Sequence, residues 1–185
     1  MTWMWIQLAL GNIRGEWVKE ITHRTGYYGL LLVVATLAVT PARRITGWNW
    51  IQPYRRTLGL FAFFYICVHF LIYVFLDRQL QFDTGFALRE MAEDIAKRPY
   101  ITVGFLGFML MIPLAVTSTK GWIRRLGKKW VALHALIYVT ALAGVVHFMW
   151  AVKADTRYPT AVGVALVILL LVRFIPRETL ARWRS

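Results

Sequence analysis

Trp130-Val131-Ala132-Leu133-His134-Ala135-Leu136-Ile137-Tyr138-Val139-Thr140-Ala141-Leu142-Ala143-Gly144-Val145-Val146-His147-Phe148-Met149-Trp150-Ala151-Val152 contains no acid, lysine or arginine. At a rise of about 1.5 Å per residue, such a run crosses a hydrocarbon core about 30 Å thick as one helix. It also holds two histidines. An ionisable side chain in hydrocarbon is costly and rare, and marks a functional site by default. His134 and His147 are 13 residues apart, about 20 Å along a helix, which places one near each face of the bilayer.

Working outward, four more segments have the length and composition of spans: Gly26–Ala42, Thr57–Leu76, Pro99–Ser118 and Pro159–Ile175. Pro41 is expected to mark the end of the first, and Pro113 to kink the third. Met1–Leu10 is apolar but too short to cross, and it lacks a basic leader and a small-residue cleavage site. It reads as part of a further helix. The expected fold is an all-α integral membrane protein, a single domain over residues 1–185 with five clear transmembrane helices and a partial N-terminal one. The composition agrees: 58% of the 185 residues are hydrophobic, more than a soluble domain of this size carries.

The formal net charge of +13 raises the question of nucleic acid. The basic residues, however, sit in short clusters between apolar runs, the distribution of a topology signal and not of a nucleic-acid-binding stripe. Arg43–Arg56 carries four arginines and no acid, and Lys120–Lys129 carries five basic residues and no acid. The tail beyond Ile175 holds Arg177, Arg182 and Arg184 against Glu178. These alternate with mixed-charge segments at Gly11–Thr25, Asp77–Arg98 and Lys153–Tyr158. The basic set is therefore expected in the cytoplasm, with the C-terminus on that side. Phe86–Lys97, with apolar and charged positions interleaved, reads as a short amphipathic helix at the outer interface. One cysteine, Cys67, precludes an internal disulfide or a Cys-based metal cluster and reads as a packing residue.

A third histidine, His69, lies in the span Thr57–Leu76. The spans holding His69 and His147 both run outward from the cytoplasm, which puts the two residues at similar depth in the outer half. Two neutral imidazoles on facing helices can clamp a haem iron from both sides. The inner partner of His134 falls near Arg55, which keeps its proton and is suited to a haem propionate instead. Gly59 and Gly144 offer close approach for a macrocycle, and Tyr65 and Tyr73 share a helix face with His69. On an ideal helix His134 and His147 point about 140° apart, so a common side requires overwinding, a bend or separate approaches. His23 lies outside the spans and reads as a cap or surface residue.

The runs Arg55-Arg56-Thr57-Leu58-Gly59-Leu60, Arg98-Pro99-Tyr100-Ile101-Thr102-Val103-Gly104, Thr117-Ser118-Thr119, Leu126-Gly127-Lys128-Lys129-Trp130 and His147-Phe148-Met149-Trp150-Ala151-Val152-Lys153 resemble those of the MsrQ (YedZ) family. That family comprises haem-binding membrane subunits of bacterial protein-methionine-sulfoxide reductase systems, within the wider ferric-reductase-like transmembrane group. In the wider group two helices each carry two histidines. His134 and His147 match the second pair and His69 the outer member of the first, while Arg55 stands where the remaining histidine is expected. Set against that pattern, Met1–Leu10 is expected to be only a part of the family's first transmembrane helix.

The resemblance implies a b-type cytochrome of the bacterial inner membrane with haem b at His69 and His147, and leaves a second haem at His134 and Arg55 open. Electrons would come from the quinone pool or a cytoplasmic flavin reductase and pass to a periplasmic MsrP-type molybdopterin reductase that repairs oxidised methionines. FMN is a further candidate cofactor, its phosphate drawn to Arg43, Arg44, Lys128 and Lys129, residues that positive-inside topology also accounts for. No nucleophile–base pair and no nucleotide-binding fingerprint is present in the sequence, so any catalytic step belongs to the partner. Two alternatives stand beside this reading. One is a stand-alone transmembrane ferric or quinone reductase. The other is a histidine-based proton channel or transporter, which the lack of acids within the spans disfavours.

Overall fold

The computed structural model of the chain describes residues 2–77, 84–152 and 155–175. Every regular element among these residues is helical. In chain order they are α1 (Thr2–Thr46), α2 (Tyr54–Ile72), α3 (Thr84–Lys97), α4 (Pro99–Val116), α5 (Lys120–Leu126), α6 (Lys128–His134), α7 (Leu136–Ala151) and α8 (Arg157–Phe174). A 3-10 turn at Asn49–Ile51 precedes α2, and a π-helical segment, Tyr73–Asp77, extends it.

Two helix pairs build the bundle, α1 against α2 and α4 against α7, with α8 laid on α1 and α7. Their shared core contains Leu30, Val33 and Leu37 of α1, Ala62 of α2, Met111 of α4, Ala141 and Val145 of α7, and Val162 and Leu166 of α8. Ala62 and Ala141 are fully buried, small residues that let helix backbones approach where lipid gives no hydrophobic drive. The outward faces are apolar as well: Phe61, Leu142 and Leu171 are each more than half exposed. Together with the length and hydropathy of the helices, this is the surface of a multi-pass membrane protein.

Four helical stretches among the described residues are long and apolar enough to cross a membrane: Trp17–Thr46, Asn49–Phe75, Pro99–Val116 and Lys128–Ala151. The sequence-based count of five is not reached on that measure. The fifth apolar run does form a helix, α8, which buries Val162 and Leu166 against the bundle.

The first span differs from expectation at both ends. Gly11–Thr25, read from its charges as an outer segment, is helical and continuous with the span. Four of its polar residues are satisfied locally: Thr22 Oγ1 donates to the Val18 carbonyl at 2.7 Å, Thr25 Oγ1 to that of Ile21 at 2.8 Å, and Arg24 pairs with Glu20 one turn away. Thr2–Leu10 belongs to the same helix. Pro41 does not end it. A proline in a helix leaves the carbonyl four residues earlier without a donor, here that of Leu37, and Nη2 of Arg173 on α8 donates to it at 3.2 Å. The helix runs on to Thr46, and Gly47, with φ 81°, closes it by donating its N–H to the Arg43 carbonyl at 2.9 Å.

The opening stretch of sequence is interrupted at Ala135, between α6 and α7. The Ala135 amide donates to the carbonyls of Val131 (3.1 Å) and Ala132 (3.2 Å), and Tyr138 donates to Ala135 at 3.1 Å. This is a local tightening of 3-10 type. The basic segment Lys120–Lys129 is not a simple loop, since it contains α5. Thr119 caps α5 by accepting from the Trp122 N–H at 3.3 Å, and Gly127, at φ 52°, turns the chain into α6. The basic tail beyond Ile175, Lys153, and residues 78–83 of the mixed-charge outer segment lie outside the described residues.

Candidate functional site

The two helix pairs bring His69 on α2 and His147 on α7 together, with ring centroids 6.2 Å apart and planes at 78°. Each ring is held from behind by a backbone carbonyl of its partner helix. Nδ1 of His69 lies 2.8 Å from the Thr22 oxygen on α1, and Nδ1 of His147 lies 2.7 Å from the Tyr100 oxygen on α4. A carbonyl only accepts, so Nδ1 carries the proton in both rings and Nε2 keeps a free lone pair. Fixing the tautomer in this way also makes the free nitrogen a better donor to a metal.

Both rings border a cavity of about 370 Å³ lined by α1, α2, α4 and α7, with Ile95 of α3 at its edge. Phe70, Phe105, Phe108 and Phe148 contribute apolar walls, and Phe70 stacks on Phe108 at 4.9 Å. Thr140, also on the lining, has a buried Oγ1 without a hydrogen-bond partner among the described residues. Lys19, His23 and Arg98 are exposed cations or potential cations on the same cavity. His23 therefore stands beside the site as an exposed residue, as expected of a surface position, and lies inside α1 instead of capping it. Tyr73 lines the cavity and donates from its hydroxyl to Asp94 Oδ2 at 2.9 Å.

His134 is elsewhere. Its ring stacks on Trp130, with centroids 3.8 Å apart, and its Nε2 lies 3.0 Å from Thr117 Oγ1 at the end of α4. Overwinding at Ala135 is present, but it does not bring His134 to the site of His147. Arg55, in the first turn of α2, is within electrostatic reach of His134 and of Arg173. Arg44 joins this end of the bundle by donating to the Arg173 carbonyl at 2.8 Å. Arg173 also donates to the Tyr138 hydroxyl. A Cβ on Gly59 would meet Thr36 at 3.7 Å, away from the cavity, while Gly144 lines it. Tyr65 meets Tyr28 and Phe64 edge-on instead of reaching the cavity.

Among the described residues no group of three or more His, Cys, Asp or Glu side chains could hold a bare metal ion. Two imidazoles suit a metal whose remaining ligands come from a planar macrocycle.

A model of the family described as ferric reductase like transmembrane component matches residues 25–145. A relative from Herminiimonas arsenicoxydans, named protein-methionine-sulfoxide reductase heme-binding subunit MsrQ, is 48% identical over 159 residues, covering 84% of this chain and 70% of its own. Relatives of the same name from Rhodospirillum rubrum and Xanthomonas campestris pv. campestris are 44% identical over 177 residues and 45% over 184. They cover 95% and 97% of this chain and 82% of their own lengths. The chain belongs to the MsrQ family. Its ferric-reductase-like segment begins beside Gly26 and includes His69 and His134, with His147 just past its end. No solved structure matches this chain.

Sequence reasoning missed the two carbonyls that hold the histidines, because a backbone acceptor has no residue type. A signal existed all the same: Thr22 precedes His69 and Tyr100 precedes His147 by the same 47 residues.

Proposed function

We propose that this chain is the haem-b subunit of a protein-methionine-sulfoxide reductase system and carries electrons across the bacterial inner membrane. The observation behind this reading is the facing pair His69 and His147, both on the cavity wall and each with Nδ1 tied to a carbonyl. His69 and His147 would hold the haem iron, and haem b, when bound, would supply one-electron chemistry. Thr22 and Tyr100 orient the ligand rings and raise their basicity. The phenylalanine walls exclude water, and Lys19, His23 and Arg98 complement the carboxylates of a propionate-bearing macrocycle. The partnerless Thr140 hydroxyl is a polar contact available to the same ligand.

One haem is assigned here. At the other end of the bundle Trp130 covers one face of His134, Thr117 engages its Nε2, and no second imidazole faces it. Arg55, Arg44 and Arg173 make that end cationic. Positive-inside topology then puts them at the cytoplasmic face, with α8 as a fifth crossing and the C-terminus inside. Electrons enter there from the quinone pool or a flavin reductase, with FMN as a candidate carrier whose phosphate meets Arg43, Arg44, Lys128 and Lys129. They leave at the outer face to a periplasmic MsrP-type molybdopterin reductase. The names of the relatives support a reductase partner, and the lack of acids within residues 26–42, 57–76, 99–118, 130–152 and 159–175 favours electron over proton transport.

A dithionite-reduced minus oxidised spectrum of the purified chain tests this reading. The expected result is the sharp visible band of a six-coordinate, low-spin b-type haem. A colourless preparation that haem does not reconstitute overturns it.

A further inference from the structure

The helix pairs α1–α2 and α4–α7 share one spacing of carbonyl, glycines and histidine. Adding 78 to the numbers of Thr22, Gly26, Gly29 and His69 gives Tyr100, Gly104, Gly107 and His147. The local sequences correspond: Gly26-Tyr27-Tyr28-Gly29-Leu30 and Gly104-Phe105-Leu106-Gly107-Phe108. In each unit the carbonyl that holds the histidine and the first glycine are four residues apart. They therefore lie one turn apart on the same helix face.

We propose that Gly26 and Gly104 are positioning residues for the two histidines, clearing the space through which each imidazole reaches its carbonyl. A Cβ on Gly104 would stand 2.6 Å from His147 Nδ1 and 2.9 Å from its Cε1. One on Gly26 would stand 3.0 Å from both Nδ1 and Cε1 of His69. In both cases the nearest atoms are those of the histidine ring and nothing else. Neither residue has a positive φ, so the requirement is the missing Cβ and not backbone freedom. Glycine is a poor helix former compared with alanine, and room for the ring offsets that disadvantage.

The second glycines do something different. A Cβ on Gly29 would meet Ile66 Cγ1 at 2.8 Å, and one on Gly107 would meet Ala143 Cβ at 3.4 Å. They govern how closely the paired helices pack. The unit is thus a helix that packs on its partner through one glycine and admits the partner's histidine over another. Two such units facing each other present two ligands across one cavity.

Ligand positioning by these glycines presupposes the haem site proposed above, and the test separates the two. Full-length Gly104→Ala and Gly26→Ala are purified beside Gly59→Ala and Gly121→Ala. At the control positions, both off the cavity, a Cβ meets only ordinary contacts, at 3.7 and 3.9 Å. Haem affinity, haem midpoint potential and the low-temperature EPR g-values are measured. Losing an outer-shell partner of a metal-ligating histidine typically weakens binding about 10- to 100-fold. That is the expected loss for Gly104→Ala, with a smaller one for Gly26→Ala, whose added methyl group has more clearance. The potential of any retained haem rises in both variants, because a ligand without its carbonyl bond donates less charge to iron, and both controls match the parent. Parent-like affinity, potential and g-values in Gly104→Ala overturn the proposal, as does equal loss in the controls. If the parent itself takes up no haem, the haem reading fails instead. The glycines are then judged by nitrogen-15 NMR of histidine-labelled, haem-free protein. Loss of the Nδ1–H tautomer of His147 in Gly104→Ala supports them, and its retention overturns them.

Discussion

Arg173 on α8 donates from its guanidinium to the Leu37 carbonyl of α1, the one backbone acceptor that Pro41 leaves without its helical donor. One side chain thereby lets a proline sit inside a membrane helix and ties the last helix to the first. Removing it with Arg173→Met should loosen both. Hydrogen bonds from charged donors contribute about 1.5–3 kcal/mol, so opening of α8 and of the turn around Pro41 should rise about ten-fold or more, read as faster amide exchange. Unchanged exchange would mean that apolar packing alone fixes α8.

Leu37 is itself fully buried where α1 meets the rest of the core. Leu37→Ala should cost about 2–5 kcal/mol, the range for truncating a buried leucine. Thermal unfolding in detergent measures this. Leu142→Ala, on the lipid-facing surface and 60% exposed, serves as the comparison and should shift unfolding much less.

Outside the membrane, Lys97 and Arg89 hold the Glu93 carboxyl of α3 below the usual carboxylate range, the hydrogen bond from Lys97 counting most. A depressed folded pKa stabilises the helix above the ordinary glutamate pKa and ceases to as pH falls through the folded value. Amide protection in α3 should therefore be flat around neutrality and decline in acid. Glu93→Gln should abolish that decline, and an unaltered acid profile in the variant would refute the assignment.

The spans of α2, α4 and α7 were legible in the sequence because uninterrupted apolar length is a strong signal. Loop charge was a weaker guide to element boundaries. Gly11–Thr25 carries mixed charges, yet it is helical because its threonines and its Glu20–Arg24 pair satisfy themselves within the helix. Pro41 misled for a similar reason, since its compensating donor, Arg173, lies 132 residues away in the chain. The proximity of His69 and His147 followed from depth and direction. Periodicity on an ideal helix could not place His134, whose surroundings depend on the contraction at Ala135 and on the stacking of Trp130. The glycine-and-carbonyl device was present as a spacing, but hydrophobic periodicity does not reveal it.

His134 should be dispensable for the site at His69 and His147. His134→Ala removes the stack on Trp130 and the contact with Thr117, so the junction of α6 and α7 should exchange faster while the haem spectrum stays that of the parent.

The most direct test of the central claim is haem stoichiometry, by pyridine haemochrome, in purified His69→Ala, His147→Ala and the double variant. A single haem held by both residues predicts that each single loss abolishes the same six-coordinate spectrum and that the double variant loses nothing more. If each single variant kept a distinct low-spin haem that only the double variant lost, His69 and His147 would serve different sites, contradicting the facing pair as one centre.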